Sequence, residues 1–394
     1  MRVGPPSTKD RKPKKRDQAL PGLYVHVPFC RSKCPYCDFY STTDLSRIPA
    51  WLEALQQEVL FYKDSFASFD TLYLGGGTPT LLDEGQLSRL MDCLSRHFQF
   101  APDTEVTLEA NPDDLTPEKL TLLKELGINR LSLGVQSFDD EELAFLGRRH
   151  TARQTVQALT SIRAAGFAHL GLDLIYALPG QTARDWVKTL ERALYFQPEH
   201  LSCYQLTLEK GTPLGSMKAR GQITPMGEEA ERALFLLTSH FLEQRGLIHY
   251  EISNFARGET HYSRHNWKYW RHVPYLGLGP AAHSFKDGKR WWNHRSLEKY
   301  CRAPAEGKAP VAESEDLSPP QLLLESLYLG FRTREGVALS AIRRYPRGEA
   351  ILAELKGAGL VEVRRSRAAP TRKGFLVADS LPLLFAESEP GKSG

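Results

Sequence analysis

No apolar run in this 394-residue chain approaches the roughly 18 residues that span a bilayer, and no apolar segment of the kind that opens a secretory leader follows the first methionine. Net charge is also scarce once one short region is set aside. Residues 1–20 carry seven basic and two acidic side chains, a net of +5, which leaves the rest of the chain at −1 because the whole carries +4. A body that binds nucleic acid through its charge is therefore not expected. The basicity belongs to a Pro- and Lys-rich tail (1–20) without helical periodicity, read as a flexible appendage that leaves peripheral contact with an anionic membrane open. Cysteine is sparse as well. Of six, three are scattered singly (Cys93, Cys203 and Cys301), which is not the pattern of a secreted disulfide framework. A cytoplasmic location fits this usage, with Cys93 and Cys203 as core fillers.

The other three are concentrated. Cys30-Arg-Ser-Lys-Cys34-Pro-Tyr-Cys37 directly follows the apolar run Gly22–Phe29, so three thiols sit on a loop leaving a probable-length strand of β-branched and aromatic residues. Three chemistries can use such a loop. Cys34-Pro-Tyr-Cys37 alone would serve as a redox pair. With His26 as a fourth ligand the thiols would suit structural zinc. An iron-sulfur cluster normally takes four thiolates, so three would leave one iron open to a small molecule.

From residue 22 to about 208, β-rich runs (23–27, 70–74, 104–109, 130–135, 169–175, 200–206) alternate with segments of helical period (51–63, 84–98, 117–126, 152–165, 183–196). Thr116-Pro117 reads as a helix N-cap with proline at the first position, Gly127 as the matching stop, and Thr182 with Asp185 as an acidic capping box. Six alternations imply parallel strands joined by right-handed crossovers, in a doubly wound sheet or a β/α barrel. Polar and glycine-rich residues fall at the C-terminal ends of the strands, the functional rim of a barrel, which favours a partial (β/α)6 barrel. An amphipathic helix (225–246) and a Tyr-, Trp- and His-rich segment (249–294) complete a unit over 21–302, with 225–302 as accessory. A Pro/Ala/Gly/Glu-rich linker is expected over 303–320. A small C-terminal winged-helix-like unit over 318–385 follows, its helices at 320–331, 338–345 and 348–357 and its hairpin at 359–363 and 374–377.

The C-x3-C-x2-C spacing resembles the signature of the radical S-adenosylmethionine superfamily. That resemblance implies a [4Fe-4S] cluster on Cys30, Cys34 and Cys37, with S-adenosylmethionine chelating the open iron. It also implies nucleotide contacts from the Gly75-Gly-Gly-Thr-Pro-Thr80 run (Gly76, Gly77, Thr78), from the strand-end residues Glu109, Gln136 and Asp173, from Arg148, and from Tyr24 and Tyr36 beside the thiols. On its own chemistry the glycine run would let backbone approach a ligand and leave N–H groups free for a carboxylate.

The run from Tyr24 to Asp173-Leu-Ile-Tyr-Ala-Leu-Pro-Gly-Gln-Thr182, and the later Tyr275-Leu-Gly-Leu-Gly-Pro-Ala-Ala-His-Ser284, resemble one subfamily: oxygen-independent coproporphyrinogen III oxidase and the HemW-like haem chaperones. The oxidase has a fourth cysteine two residues after the third, where this chain has Phe39. His265-Asn-Trp-Lys-Tyr-Trp270 matches a motif of the chaperones. The resemblance thus implies haem as cargo, with His265 as ligand and His261 or His272 as substitutes, haem-accepting apo-proteins as partners, and an electron donor such as flavodoxin or ferredoxin. It leaves monomer or homodimer open. Oxidative decarboxylation of coproporphyrinogen III and radical modification of RNA, the latter through the basic tail and the winged unit's Arg364, Arg365, Arg367, Arg372 and Lys373, are the competing readings.

Overall fold

A computed structural model describes residues 19–386 apart from residue 67; the basic tail, up to residue 18, lies outside the described residues. Six parallel strands follow one another in the sheet in chain order: β1 (Gly22–Val27), β2 (Ser68–Gly76), β3 (Gln99–Ala110), β4 (Arg130–Gln136), β5 (His169–Tyr176) and β6 (His200–Gln205). That unbroken order distinguishes a barrel from a doubly wound sheet, in which the order reverses partway. The crossover helices Ile48–Tyr62, Glu84–His97, Pro117–Glu125, Ala152–Ala164 and Ala183–Tyr195 lie close to the expected segments. Thr116 caps its helix, Gly127 ends it at φ +82°, and Thr182 with Asp185 forms the expected capping box. Cys93 and Cys203 are buried in the core.

The strands alternate in character. Leu23, Val25, Leu72, Leu74, Leu108, Leu131, Leu133, Leu170, Leu172 and Leu201 are buried in the core shared with the helices. The residues between them, including Tyr24, Tyr73, Thr107, Glu109, Arg130, Ser132, Asp173, His200 and Ser202, line a cavity of about 1390 Å³ inside the curve. A period of two thus separates a hydrophobic outer layer from a polar interior.

Beyond β6 the helix Glu228–Glu243 packs on Ala183–Tyr195, with Trp186 donating its indole N–H to Thr238 at 2.7 Å. The hairpin β7 (Ile248–Glu251) and β8 (Asn254–Ala256) extends one edge of the sheet. On the other edge, β9 (Tyr275–Leu278) runs parallel to β1, and β10 (His283–Lys286), β11 (Lys289–Asn293) and β12 (Val311–Asp316) follow antiparallel, giving twelve strands.

Here the structure corrects the expected linker over 303–320. Its middle forms β12, an acidic edge strand whose Glu313, Glu315 and Asp316 keep the open edge solvated. Composition resembled a linker because an exposed edge strand has no apolar face to show.

The C-terminal unit has its own hydrophobic core, built from Leu327, Phe331, Ile342, Ile351, Leu355, Val361 and Phe385. Its helices Pro319–Phe331, Leu339–Ile342 and Gly348–Gly357 surround a sheet ordered β13 (Val337–Ala338), β15 (Arg367–Pro370), β14 (Val361–Arg364). The expected second hairpin strand at 374–377 is instead the short helix Arg372–Phe375 and its continuation. The chain turns earlier, at Arg365 with φ +54°, and Thr371 caps the helix. The basic cluster of this unit is largely engaged internally. Arg364 pairs with Glu362, Arg367 donates to the carbonyls of Glu335 and Gly336, and Arg372 clamps Glu243 and Ser239 on the barrel side. Among the described residues no helix is long and apolar enough to cross a membrane.

One buried acid ties the barrel's closing elements together. Glu58, fully buried on Ile48–Tyr62, accepts hydrogen bonds from the Gly279 N–H, the Asn293 amide and the Tyr300 hydroxyl. Burial raises its pKa from 4.5 to about 7, against the pull of those three donors. The folded state therefore holds this proton more tightly than the unfolded chain does. Its stabilising effect is complete below about pH 4.5 and fades as pH rises through 7, by on the order of 3 kcal/mol. Urea unfolding at pH 5 and pH 8 should show the wild type losing stability relative to Glu58→Gln; parallel pH dependences would rule out Glu58 as the titrating group.

Candidate functional site

The thiol loop leaves β1 and is pinned at its base by Cys30 N–H to Thr42 carbonyl (3.0 Å) and Thr42 N–H to Pro28 carbonyl (2.7 Å). Cys30, Cys34 and Cys37 all line the cavity, and all are free thiols. Burial pushes the Cys30 and Cys37 thiols up. Two donors face the sulfurs: Thr78 Oγ1 lies 3.7 Å from Cys30 Sγ, and Arg148 Nη1 lies 3.5 Å from Cys34 Sγ. Among the described residues no three His, Cys, Asp or Glu side chains are drawn tightly enough together to hold a metal ion, these thiols included. The site's suitability for an anionic sulfur-ligated group rests instead on its donors. Arg148 is held by the Gly134 carbonyl (2.9 Å) and Asn111, yet its buried Nε–H has no partner among the described residues.

His26 is excluded as a fourth ligand in this conformation. Its Nε2 meets the Tyr40 carbonyl at 2.9 Å, which can only accept, so Nε2 carries the proton and Nδ1 accepts from the Tyr24 hydroxyl at 3.0 Å. Both nitrogens are engaged, and burial lowers its pKa to about 4, keeping the ring neutral.

The glycine run works differently from the expectation that its N–H groups stay free. Gly76 N–H donates to Glu109 Oε2 (2.9 Å), Gly77 N–H to the Val27 carbonyl (2.8 Å) and Thr78 N–H to the Phe29 carbonyl (2.7 Å). The glycines serve close approach between β2 and the start of the thiol loop. A Cβ on Gly77 would stand 2.6 Å from the Phe29 carbonyl oxygen, and one on Gly76, at φ +105°, 2.4 Å from the His26 ring.

The remaining strand-end residues share the cavity. Glu109 also accepts from the Tyr73 hydroxyl (2.8 Å), and burial raises its pKa to about 7. Asp173 accepts from Ser132 and is likewise pushed up by burial. Gln136 adopts φ +66° at an irregularity in the β4–β5 register. It converges with Arg148 and Asn111 on the space over Gly134, where a Cβ would lie 3.1–3.4 Å from all three. Asn111, Ser132, Thr107, Tyr73 and Ser202 were missed from the sequence. Their signal was the two-residue polar period along β2 to β6, of which only Glu109, Gln136 and Asp173 were taken.

His265 lies elsewhere. It is 1% exposed on the short helix Arg264–Trp270 and does not line the cavity. Its Nδ1 meets Thr71 Oγ1 at 2.9 Å and its Nε2 the Tyr269 hydroxyl at 2.8 Å, so neither nitrogen is free for iron. This segment closes the barrel floor. Glu105 accepts the N–H groups of Arg264 and His265, and Arg130 donates to the His261 carbonyl. His261 faces His169, and His272 pairs with Glu325, so neither substitute reaches the cavity.

Residues 24–193 match the Radical SAM superfamily. The chain is 36% identical to the haem chaperone HemW of Mycobacterium tuberculosis over 370 residues, covering 91% of this chain and 93% of that protein. It is 34% identical to HemW of Bacillus subtilis, covering 92% and 98%. Among solved structures, coproporphyrinogen III oxidase (HemN) from Escherichia coli, a radical SAM enzyme, superposes with a TM-score of 0.80 at 26% identity, covering 94% of this chain and 91% of that one.

The close approach of the glycine run predicts a graded cost. Gly76→Ala meets the His26 side chain and should lose about 2–3 kcal/mol, whereas Gly77→Ala meets the backbone of Val27 and Phe29 and should lose more. Denaturant unfolding of the two variants checks the order; equal or negligible losses would remove the packing role.

Proposed function

Because this chain belongs to the HemW family of haem chaperones, within the radical SAM superfamily, we propose that it binds haem and passes it to apo-proteins, using a cavity that also holds a [4Fe-4S] cluster and S-adenosylmethionine. The observation that carries the chaperone reading over its enzymatic relative is Phe39. It stands where the oxidase has a fourth cysteine, and it is 70% exposed at the cavity edge beside Cys37. A large apolar side chain held in water on a cofactor loop suits contact with an apolar cargo, not ligation or acid–base chemistry.

In this reading Cys30, Cys34 and Cys37 hold three irons, with Arg148 and Thr78 donating to their sulfurs. Tyr24, Tyr36, Gly76, Gly77, Glu109, Gln136 and Asp173 surround the nucleotide. When bound, the cluster supplies an electron that can cleave a sulfur–carbon bond of the nucleotide. The chain's own contribution is positional. Glu109 is oriented by Tyr73 and Gly76, and His26 is fixed as a neutral ring. A small electron-transfer protein such as flavodoxin or ferredoxin is the fitting reductant. Residues 21–302 make up the radical SAM barrel unit, with 225–302 as its accessory segment, and 318–385 the HemN-like winged-helix unit. His265 acts from the floor, its imidazole bridging Thr71 and Tyr269, so its loss acts on the cavity through the fold.

Anaerobic reconstitution with iron and sulfide, then addition of S-adenosylmethionine and haem, tests this on one sample. Cluster absorbance should be lost in Cys34→Ser, the nucleotide should perturb the reduced cluster's magnetic resonance spectrum, and haem should bind with a defined Soret band. Coproporphyrinogen supplied with reductant should remain unconverted. Protein that takes up its cluster and fails to bind haem, or that yields protoporphyrinogen, overturns the chaperone reading.

A further inference from the structure

The Tyr275–Ser284 run is a sequence feature that the cluster and nucleotide leave without a task. Its glycines fold the chain tightly. A Cβ on Gly277 would stand 2.1 Å from the His283 carbonyl oxygen, and one on Gly279, at φ +96°, 2.4 Å from the His26 carbonyl oxygen. Gly277 N–H is held by Ser284 Oγ (2.9 Å), and Gly279 N–H by the buried Glu58. The loop is thereby pressed onto the end of β1, and the next residue to emerge is His283.

Three histidines line the cavity: His26, His200 and His283. His26 uses both nitrogens, and His200 is buried with Nε2 on the Tyr250 hydroxyl at 2.7 Å. His283 is different. It is exposed, and among the described residues neither of its ring nitrogens has a hydrogen-bond partner. The antiparallel register places it directly opposite Trp292, and the two rings stack with centroids 5.5 Å apart at 24°. Two residues beyond β11, Arg295 reaches the thiol loop, donating to the Asp38 carbonyl at 2.8 Å with Asp38 Oδ1 3.7 Å away. Phe39 is the next residue on that loop. A free imidazole, a flat indole, an exposed phenyl ring and a guanidinium with spare donors thus border one opening.

We propose that this opening is the haem seat, with His283 as the axial ligand of the iron, Trp292 stacked on the His283 ring and so edge-on to the porphyrin, Phe39 against the macrocycle, and Arg295 paired with a propionate. The ligand set matches the cargo's chemistry: imidazole for iron, apolar aromatic surface for an apolar macrocycle, and a planar cation for a carboxylate. Burial and Arg290 lower the His283 pKa, which keeps the lone pair unprotonated at neutral pH. Iron ligation leaves the floor segment undisturbed, since His265 keeps both of its hydrogen bonds.

The proposal rests on the chaperone reading, and haem titration of the reconstituted full-length protein separates the two. Wild type, His283→Ala, Arg295→Gln and His265→Ala are titrated with haemin and followed by Soret absorbance, with cluster absorbance as the check that each variant folds. His283 is exposed, so its variant should load its cluster normally, bind haemin about tenfold or more weakly and shift the Soret band; added imidazole should restore the wild-type spectrum. Arg295→Gln should bind severalfold more weakly with the Soret position unchanged. Wild type that binds no haemin defeats the chaperone reading itself. Wild type that binds, with an unaltered spectrum and affinity in His283→Ala, defeats only the seat proposed here, as does a ligand change confined to His265→Ala in folded protein.

Discussion

The structure depends on pairing the polar groups that the barrel turns inward. Parallel strands are commonly apolar on both faces, because helices cover one side and a packed core fills the other. Here the inward residues of β3 to β6 include Glu105, Thr107, Glu109, Arg130, Ser132, Asp173 and Ser202, and each unpaired group at that depth would cost a few kcal/mol. The floor segment meets that demand for Glu105 and Arg130. Glu105 receives two backbone N–H groups at the start of the short helix, Arg130 is spent on Glu105 and the His261 carbonyl, and His265 bridges Thr71 to Tyr269. The motif that looks like a ligand set in the sequence is the plug that lets the strands above it be polar.

Burial of individual groups sets the chemistry at the rim. Glu109 has two donors and is still raised to about 7 by burial, so near neutrality it is poised between its two forms. A cationic amino group brought against it would favour the carboxylate, which couples ligand binding to proton release. His26 shows the opposite case. A base in the same environment stays neutral, and its fixed tautomer orients the Tyr24 hydroxyl.

Much of the barrel was legible because it is periodic. Six strands and five helices were found from apolar spacing and caps, and the residues at the strand ends do share one cavity. The errors came where one residue type serves two physical ends. Glycines that allow close packing look the same in sequence as glycines that open N–H groups to a ligand. Gly76 and Gly77 are of the first kind, because the carbonyls of Val27 and Phe29 and the carboxylate of Glu109 are already there. A histidine in an aromatic run looks the same whether it is a ligand or a hydrogen-bond bridge, and only the positions of Thr71 and Tyr269, remote from one another in sequence, decide it. β12 was hidden because an edge strand facing solvent carries no alternation.

The thiol loop and the β10–β11 ribbon form one mechanical unit, and that bears on how a cluster could influence a cargo. Tyr40 accepts from His26 through its carbonyl while its hydroxyl accepts the Leu297 N–H at 2.6 Å, and Arg295 fastens the same stretch of chain to Asp38. Any shift of the loop on loading its thiols would therefore be passed to the end of β11 and, through the cross-strand pair, to Trp292 and His283. Coupling of this kind is reciprocal in free energy. If a loaded loop changes the affinity for a ligand at the ribbon, that ligand changes the affinity of the loop for its cofactors by the same factor. A carrier needs such a device, because a site that holds its cargo tightly enough to collect it must loosen to deliver it, and the change has to come from a second site in contact with the first.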